Sequence, residues 1–260
     1  MRTKYPIILV HGIIAKDSRI FKCFGKIDYL LKIQGFHVYK SNVDGFGTIE
    51  NNAKQLKAEI RKIMKKEGVN KVNIIGHSKG GLDSKYMIQK LGMEKHVASL
   101  TTLCTPHLGS PIAENILRSP KWLLNMIAFS LDSWYRFLGD KHPDSLKVCK
   151  ELSTVTEIHD NILATSPYVY TQSYSTTMER VSDDLAMSIP LAFSHHFEKK
   201  ESDGLVSNES AKYGNYRGRA LADESISHSE IIDFMANKRK KAKIYSFYSN
   251  LCEELAGMGF

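Results

Sequence analysis

Nowhere in this sequence do two cysteines stand close enough to form a C-x-x-C pair. The four present, Cys23, Cys104, Cys149 and Cys252, are scattered singly, which argues against a zinc site and leaves disulfides unforced. Cys104 ends an apolar, strand-like run and reads as a small core residue. No apolar stretch is long enough to cross a bilayer. The first, Pro6 to Val10, breaks at His11-Gly12; it starts too early and is too short for the apolar region of a signal peptide. A cytoplasmic protein is therefore favoured over a secreted mature form. Internal repeats and low-complexity segments are missing as well, so residues 1–260 read as one domain without a linker.

What is present is an ordinary globular composition. With 42% hydrophobic and 25% charged residues, a chain of this length can bury a sizeable core. The formal net charge is +8, and part of the excess sits in Lys238-Arg239-Lys240-Lys241-Ala242-Lys243. A basic surface attracts anionic lipid, anionic substrate or nucleic acid alike. No RNA- or DNA-binding motif accompanies the run. It reads as a solvated helix face or tail, and no nucleic-acid partner is expected.

Short β-rich runs alternate with helical stretches, the signature of an α/β fold with a mostly parallel sheet and helices on both faces. Strands are predicted at Ile7–Val10, Phe36–Tyr39, Val72–Ile75, Ala98–Leu103 and Tyr168–Tyr174. The first is apolar throughout, as a strand buried on both faces should be. A helix is predicted from Ile49 to Lys66, because Ile49, Ala53, Leu56, Ile60, Ile63 and Met64 recur at helical spacing. Lys121 to Leu138 differs. It is apolar on nearly every side and holds both tryptophans, Trp122 and Trp134, so it is either buried or covers something apolar.

Gly76-His77-Ser78-Lys79-Gly80 fits G-x-S-x-G, with a strand leading in and a helix leading out. A sharp strand-to-helix turn forces the serine into a strained backbone conformation, and its neighbours must then be tiny. The turn lifts the Ser78 hydroxyl clear of the sheet at the positive end of a helix. An acyl-transfer serine also needs donors for the oxyanion. The backbone N–H of Lys79 is one candidate. The other is Ile13, after His11-Gly12, where glycine permits close approach.

A base and an acid should follow in the chain order serine, acid, histidine. Among the ten histidines, His228 is the last in the chain and the only one in the final sixty residues. It precedes an apparent helix from Ile231 to Ala236. For the acid, Asp203 in Ser202-Asp203-Gly204-Leu205-Val206 is preferred, since glycine permits a tight turn and Leu205-Val206 can anchor it. Asp223 is the runner-up, although it stands only five residues before His228 and fits the same surface loop.

Taken together, Lys4-Tyr5-Pro6-Ile7, His11-Gly12, Lys71 to Gly81 and Thr105-Pro106-His107-Leu108-Gly109-Ser110 resemble the bacterial triacylglycerol lipases of the Pseudomonas and Burkholderia type. The similarity covers roughly the first 115 residues and returns at Asp203-Gly204-Leu205-Val206 and Asn215-Tyr216-Arg217. The resemblance implies the α/β-hydrolase fold, a Ser78–Asp203–His228 triad and oxyanion donors at Ile13 and Lys79. It implies a helical lid at about 115–150, opening at a lipid–water interface, with Trp122, Met126, Phe129 and Trp134 facing substrate. No cofactor is needed for the chemistry.

The similar lipases do carry a calcium ion that steadies the histidine loop. Asp183, with Asp184 as a substitute, stands at one ligand position and Glu230 at another, where the family has aspartate. The calcium match is therefore partial. The family's cysteine soon after Asp203-Gly204-Leu205-Val206 is missing, and Asp203 and His228 lie a few residues further apart than usual. His107 belongs to the shared pattern but violates the triad order, and it reads as a packing or hydrogen-bonding residue. The expected activity is triacylglycerol lipase or carboxylesterase. A phospholipase, thioesterase or acyltransferase on the same scaffold, or a silent lipid-binding protein, are the rivals.

Overall fold

The computed structural model describes residues 2–13, 23–153, 165–179, 201–234 and 236–260. Within them, six strands pair in parallel: β1 (Ile7–Val10), β2 (Val38–Lys40), β3 (Val72–His77), β4 (Val97–Leu103), β5 (Tyr170–Ser175) and β6 (Asn215–Arg219). Their order across the sheet is β2-β1-β3-β4-β5-β6.

Side chains of β1 alternate between two cores. Ile7 and Leu9 meet Ile27 and Leu31 of α1 (Ile27–Ile33) together with Tyr248, Leu251 and Cys252 of α7 (Lys238–Gly257). Ile8 and Val10 face Ala53, Leu56 and Ile60 of α2 (Ile49–Glu67) and Met87 and Ile88 of α3 (Lys79–Lys90). Burial on both faces explains why the strand lacks a polar alternation.

α2 follows its predicted span closely, for reasons visible at both ends. Thr48 accepts a hydrogen bond from Asn51 N at 3.3 Å, and Gly68 closes the helix in the left-handed conformation. β2 begins two residues later than predicted. Gly35 at φ 91° and the bond from Phe36 N to Leu31 O make those residues the exit of α1 rather than strand. β6 and the full extent of α7 were not predicted at all.

Two expectations about the C-terminal part are corrected. The helix expected at Ile231–Ala236 is a single 3₁₀ turn, Glu230–Ile232, ended by Asp233 at φ 61°. The basic run is no solvated face: it opens α7 and ties the helix to acids around His228. Arg239 and Lys243 bind Glu224, Lys240 binds Glu230, and Lys241 binds Asp233 at 3.0 Å. Cations in the first turn of a helix oppose its dipole by about 0.3–1 kcal/mol each, so these carboxylates offset a built-in penalty.

After β4 the chain forms three helices: α4 (Pro111–Leu117), α5 (Lys121–Phe137) and α6 (Ser145–Glu151). Ala113, Val148 and Leu152 pack on Ile49 and Leu82, which seats this group over the C-terminal edge of the sheet. The end of α5 is anchored from below: Asp44 accepts from the N–H groups of Lys141 and His142, and Asp140 accepts from Phe46 N. No helix among the described residues is long and apolar enough to span a membrane.

Candidate active site

In a parallel sheet of this kind ligands gather beyond the carboxyl ends of the strands, and the predicted residues come together there. Ser78 follows β3 directly with φ 54° and ψ −131°, a conformation that costs an L-residue about 1–3 kcal/mol. The predicted need for small neighbours is met. A Cβ on Gly80 would lie 2.5 Å from the carbonyl oxygens of Val10 and His11, against rigid backbone. A Cβ on Gly12 would lie 2.7 Å from Ser78 Cβ and 3.1 Å from its Oγ. Only hydrogen fits between the loop after β1 and the serine. Ile13 lines the cavity in front of Ser78, and Lys79 N begins α3 beside it.

The Asp203–His228 pair is formed. Asp203 Oδ2 accepts from His228 Nδ1 at 2.8 Å, while Oδ1 accepts from the N–H groups of Leu205 and Val206 at 2.9 and 2.8 Å. Asp203 is held as a tight turn, with Gly204 at φ 102°. His228 N donates to Asp203 O, and His228 O accepts from His77 Nε2 at 2.9 Å. The runner-up acid, Asp223, is exposed. His228 and Ser78 line the same cavity, without a direct hydrogen bond between them in this arrangement; catalytic bonds in free enzymes often tighten only on substrate binding.

That cavity has a volume of about 310 Å³ and is overwhelmingly apolar, walled by Pro106, Ile112, Val148, Leu205 and residues of α5. The wall from α5 is Leu124, Ile127, Ala128 and Leu131, a stripe at i, i+3, i+4 and i+7. Trp122, Met126, Phe129 and Trp134, expected to face substrate, do not line it. They occupy the opposite face of the same helix and are 69%, 54%, 75% and 53% exposed. The sequence could not distinguish the two faces because both are apolar.

Several neighbours escaped the sequence reading. Cys104 Sγ, Asp203 and His228 each bring a ligating atom within 4.8 Å of the others. Burial and the adjacent Asp203 carboxylate push the thiol pKa well up, so it stays protonated and is a poor metal ligand. Burial, followed by the charge of His228, drives the His77 pKa well below its usual value, so this ring is a neutral donor. Lys79 Nζ binds Asp83 Oδ1 at 2.6 Å, and Asn52 donates to the other carboxylate oxygen at 3.1 Å. That buried network fixes the first turn of α3. Glu230 gives both carboxylate oxygens to Lys240 Nζ, at 2.8 and 2.7 Å; Asp183 and Asp184 lie outside the described residues. His107 is the hydrogen-bonding residue expected, between Thr102 Oγ1 at 3.0 Å and Lys85 Nζ at 3.1 Å.

Comparison with known proteins bears directly on this arrangement. Residues 5–136 match the alpha/beta hydrolase fold family. The chain belongs to that family. A triacylglycerol lipase of Burkholderia plantarii is 39% identical over 121 residues, which are 43% of this chain and 32% of that protein. This chain thus spans about a third of the length of that curated relative. Triacylglycerol lipase 2 of Saccharomyces cerevisiae is 29% identical over 259 residues, covering 88% of this chain and 72% of the yeast protein. Among solved structures, the lipase of Staphylococcus hyicus shares the fold with a TM-score of 0.77 at 14% identity, over 97% of this chain and 95% of that one.

Proposed function

We propose that this α/β-hydrolase is a serine carboxylic-ester hydrolase, and specifically a triacylglycerol lipase. The observation that carries the reading is the 2.8 Å bond from His228 Nδ1 to Asp203, with Ser78 at its strained turn lining the same apolar cavity. The printed names of the bacterial and yeast relatives support it.

His228 Nε2 takes the proton of Ser78 Oγ as the oxygen attacks the ester carbonyl. Asp203 keeps the proton on Nδ1 and stabilises the imidazolium. The backbone N–H groups of Ile13 and Lys79 hold the tetrahedral oxyanion. Collapse breaks the ester C–O bond, and the imidazolium protonates the departing alcohol. Water, deprotonated by His228, then attacks the acyl-enzyme and frees the carboxylic acid and Ser78. The acyl chain lies in the apolar cavity, where each buried methylene contributes about 0.8 kcal/mol.

The helices α4–α6 act as the cap over this cavity, and the outer face of α5 meets the lipid surface. This chemistry needs no cofactor. The calcium ion of the similar lipases fits these residues poorly, because Glu230 is already committed to Lys240, and no step is assigned to a metal. Four free thiols suit a reducing compartment.

The test is Ser78→Ala, which should abolish hydrolysis of p-nitrophenyl butyrate and tributyrin while the protein stays folded. Undiminished turnover in that variant would refute the assignment. A fluorophosphonate probe should label wild-type Ser78 and spare the variant.

A further inference from the structure

His228 sits inside a small hydrogen-bonded frame. Glu230 N donates to Ser227 Oγ at 3.2 Å, and Ser227 N donates to Glu230 Oε2 at 3.0 Å. This is a capping box, S-x-x-E, closed around His228 and Ser229. Its carboxylate is buried, at 4% exposure, and is met by the equally buried ammonium of Lys240, at 8%. Lys240 belongs to the first turn of α7, where Asn237 caps its backbone N–H at 3.0 Å. An uncompensated lysine would be unfavourable at that helix end. An unpaired Glu230 would be equally unfavourable in the interior.

The same helix end reaches the His228 loop twice more. Glu224, four residues before His228, takes Arg239 and Lys243, and Asp233, five residues after it, takes Lys241 and Tyr245 Oη. Of these contacts only the Lys240–Glu230 pair is fully buried and joined to the backbone next to the imidazole.

We propose that Lys240 is a positioning residue for the general base: its ammonium locks Glu230, Glu230 locks the Ser227 N–H, and the frame holds the His228 imidazole on Asp203. The pair does within the chain what the bound ion does for the histidine loop of the similar lipases, so the geometry of His228 is independent of calcium. The inference rests on His228 being the base of the proposed ester hydrolase.

The test compares the full chain with Lys240→Met, Lys240→Arg, and the exchange Lys240→Glu/Glu230→Lys, measuring kcat and KM for p-nitrophenyl butyrate alongside the melting temperature. Lys240→Met should lower kcat tenfold or more, with KM within twofold, at temperatures where it remains folded. Lys240→Arg should recover most of that loss, and the exchange should exceed the Lys240→Glu single variant tenfold. In wild type, EDTA and added calcium should each change kcat by less than twofold. The inference is overturned if folded Lys240→Met keeps its kcat, or if EDTA inactivates the wild type and calcium restores it. Should Lys240→Met not fold, the chelator and the exchange variant still decide. Fluorophosphonate labelling of wild-type Ser78 keeps failure here separate from failure of the hydrolase reading.

Discussion

Cys104 lies against the carboxylate of Asp203, with its sulfur 3.2 Å from Thr176 Oγ1 on the other side. The residue adopts φ 51° at the end of β4, so the backbone turns its side chain toward the acid that orients His228. A thiol there presents a small, weakly polar surface to a carboxylate that already accepts three hydrogen bonds.

Reactivity should therefore separate Cys104 from Cys149, which is half-buried on the cavity wall. Cys104 is sealed and held protonated. In folded protein at pH 8, iodoacetamide should modify Cys149 first and leave Cys104 untouched, read by mass spectrometry of the peptides. Hydrolysis of a p-nitrophenyl laurate should fall further than that of the acetate, because the adduct occupies acyl space. Early modification of Cys104 would contradict the packing described.

Lys85 is the other buried group with an unusual environment. Its Nζ touches His107 and stands 3.8 Å from the centre of the Tyr213 ring, with no carboxylate salt bridge. Burial brings its pKa down to about 7. Between pH 7 and the unfolded value near 10.5, the unfolded chain holds more protons, so stability rises with pH across that window and is lost as pH falls through it. Denaturant melts of wild type at pH 7 and pH 9.5 should show the second to be more stable in this contribution. Lys85→Met should flatten that slope and gain about 1–3 kcal/mol at pH 7. An unchanged slope would mean that Lys85 stays charged.

Much of the fold and of the site was legible because each rested on local constraints. The strain at Ser78 needs Gly76 and Gly80, and a buried β1 needs an unbroken apolar run; both leave marks within a few residues. The Asp203 turn is similarly local, and chain order selected His228. What escaped depends on tertiary partners. The basic run at Lys238–Lys243 looks the same whether it faces water or Glu224, Glu230 and Asp233. Cys104 has no neighbours in sequence that reveal Asp203. The helix Lys121–Phe137 is apolar on two faces, so composition announced a covering role but not which residues face inward. One usable signal was overlooked: Ser227-x-x-Glu230 is a capping box around the histidine.

The inward stripe of α5 makes acyl-chain length adjustable. Ala128 is the smallest residue of that stripe on the cavity wall, so Ala128→Trp should fill the space taken by the outer methylenes of a long chain. Losing burial of three or four methylenes costs about 3 kcal/mol, equivalent to roughly a hundredfold in kcat/KM for p-nitrophenyl laurate. The acetate should change by less than threefold. Equal losses on both esters would indicate that the acyl chain runs elsewhere.

The outward face of the same helix makes the opposite prediction. Trp122 and Phe129 are among the most exposed large apolar side chains among the described residues, and contiguous apolar surface of this kind marks an interaction site. Tryptophan in particular suits the boundary between lipid and water. Because neither residue lines the cavity, Trp122→Ser/Phe129→Ser should leave kcat/KM for dissolved p-nitrophenyl butyrate within twofold. On emulsified tributyrin the same variant should lose tenfold or more, through weaker adsorption measured as the protein remaining in the aqueous phase. Parallel losses on dissolved and emulsified substrate would place these side chains in the packing of the cap instead of on a lipid-contacting surface.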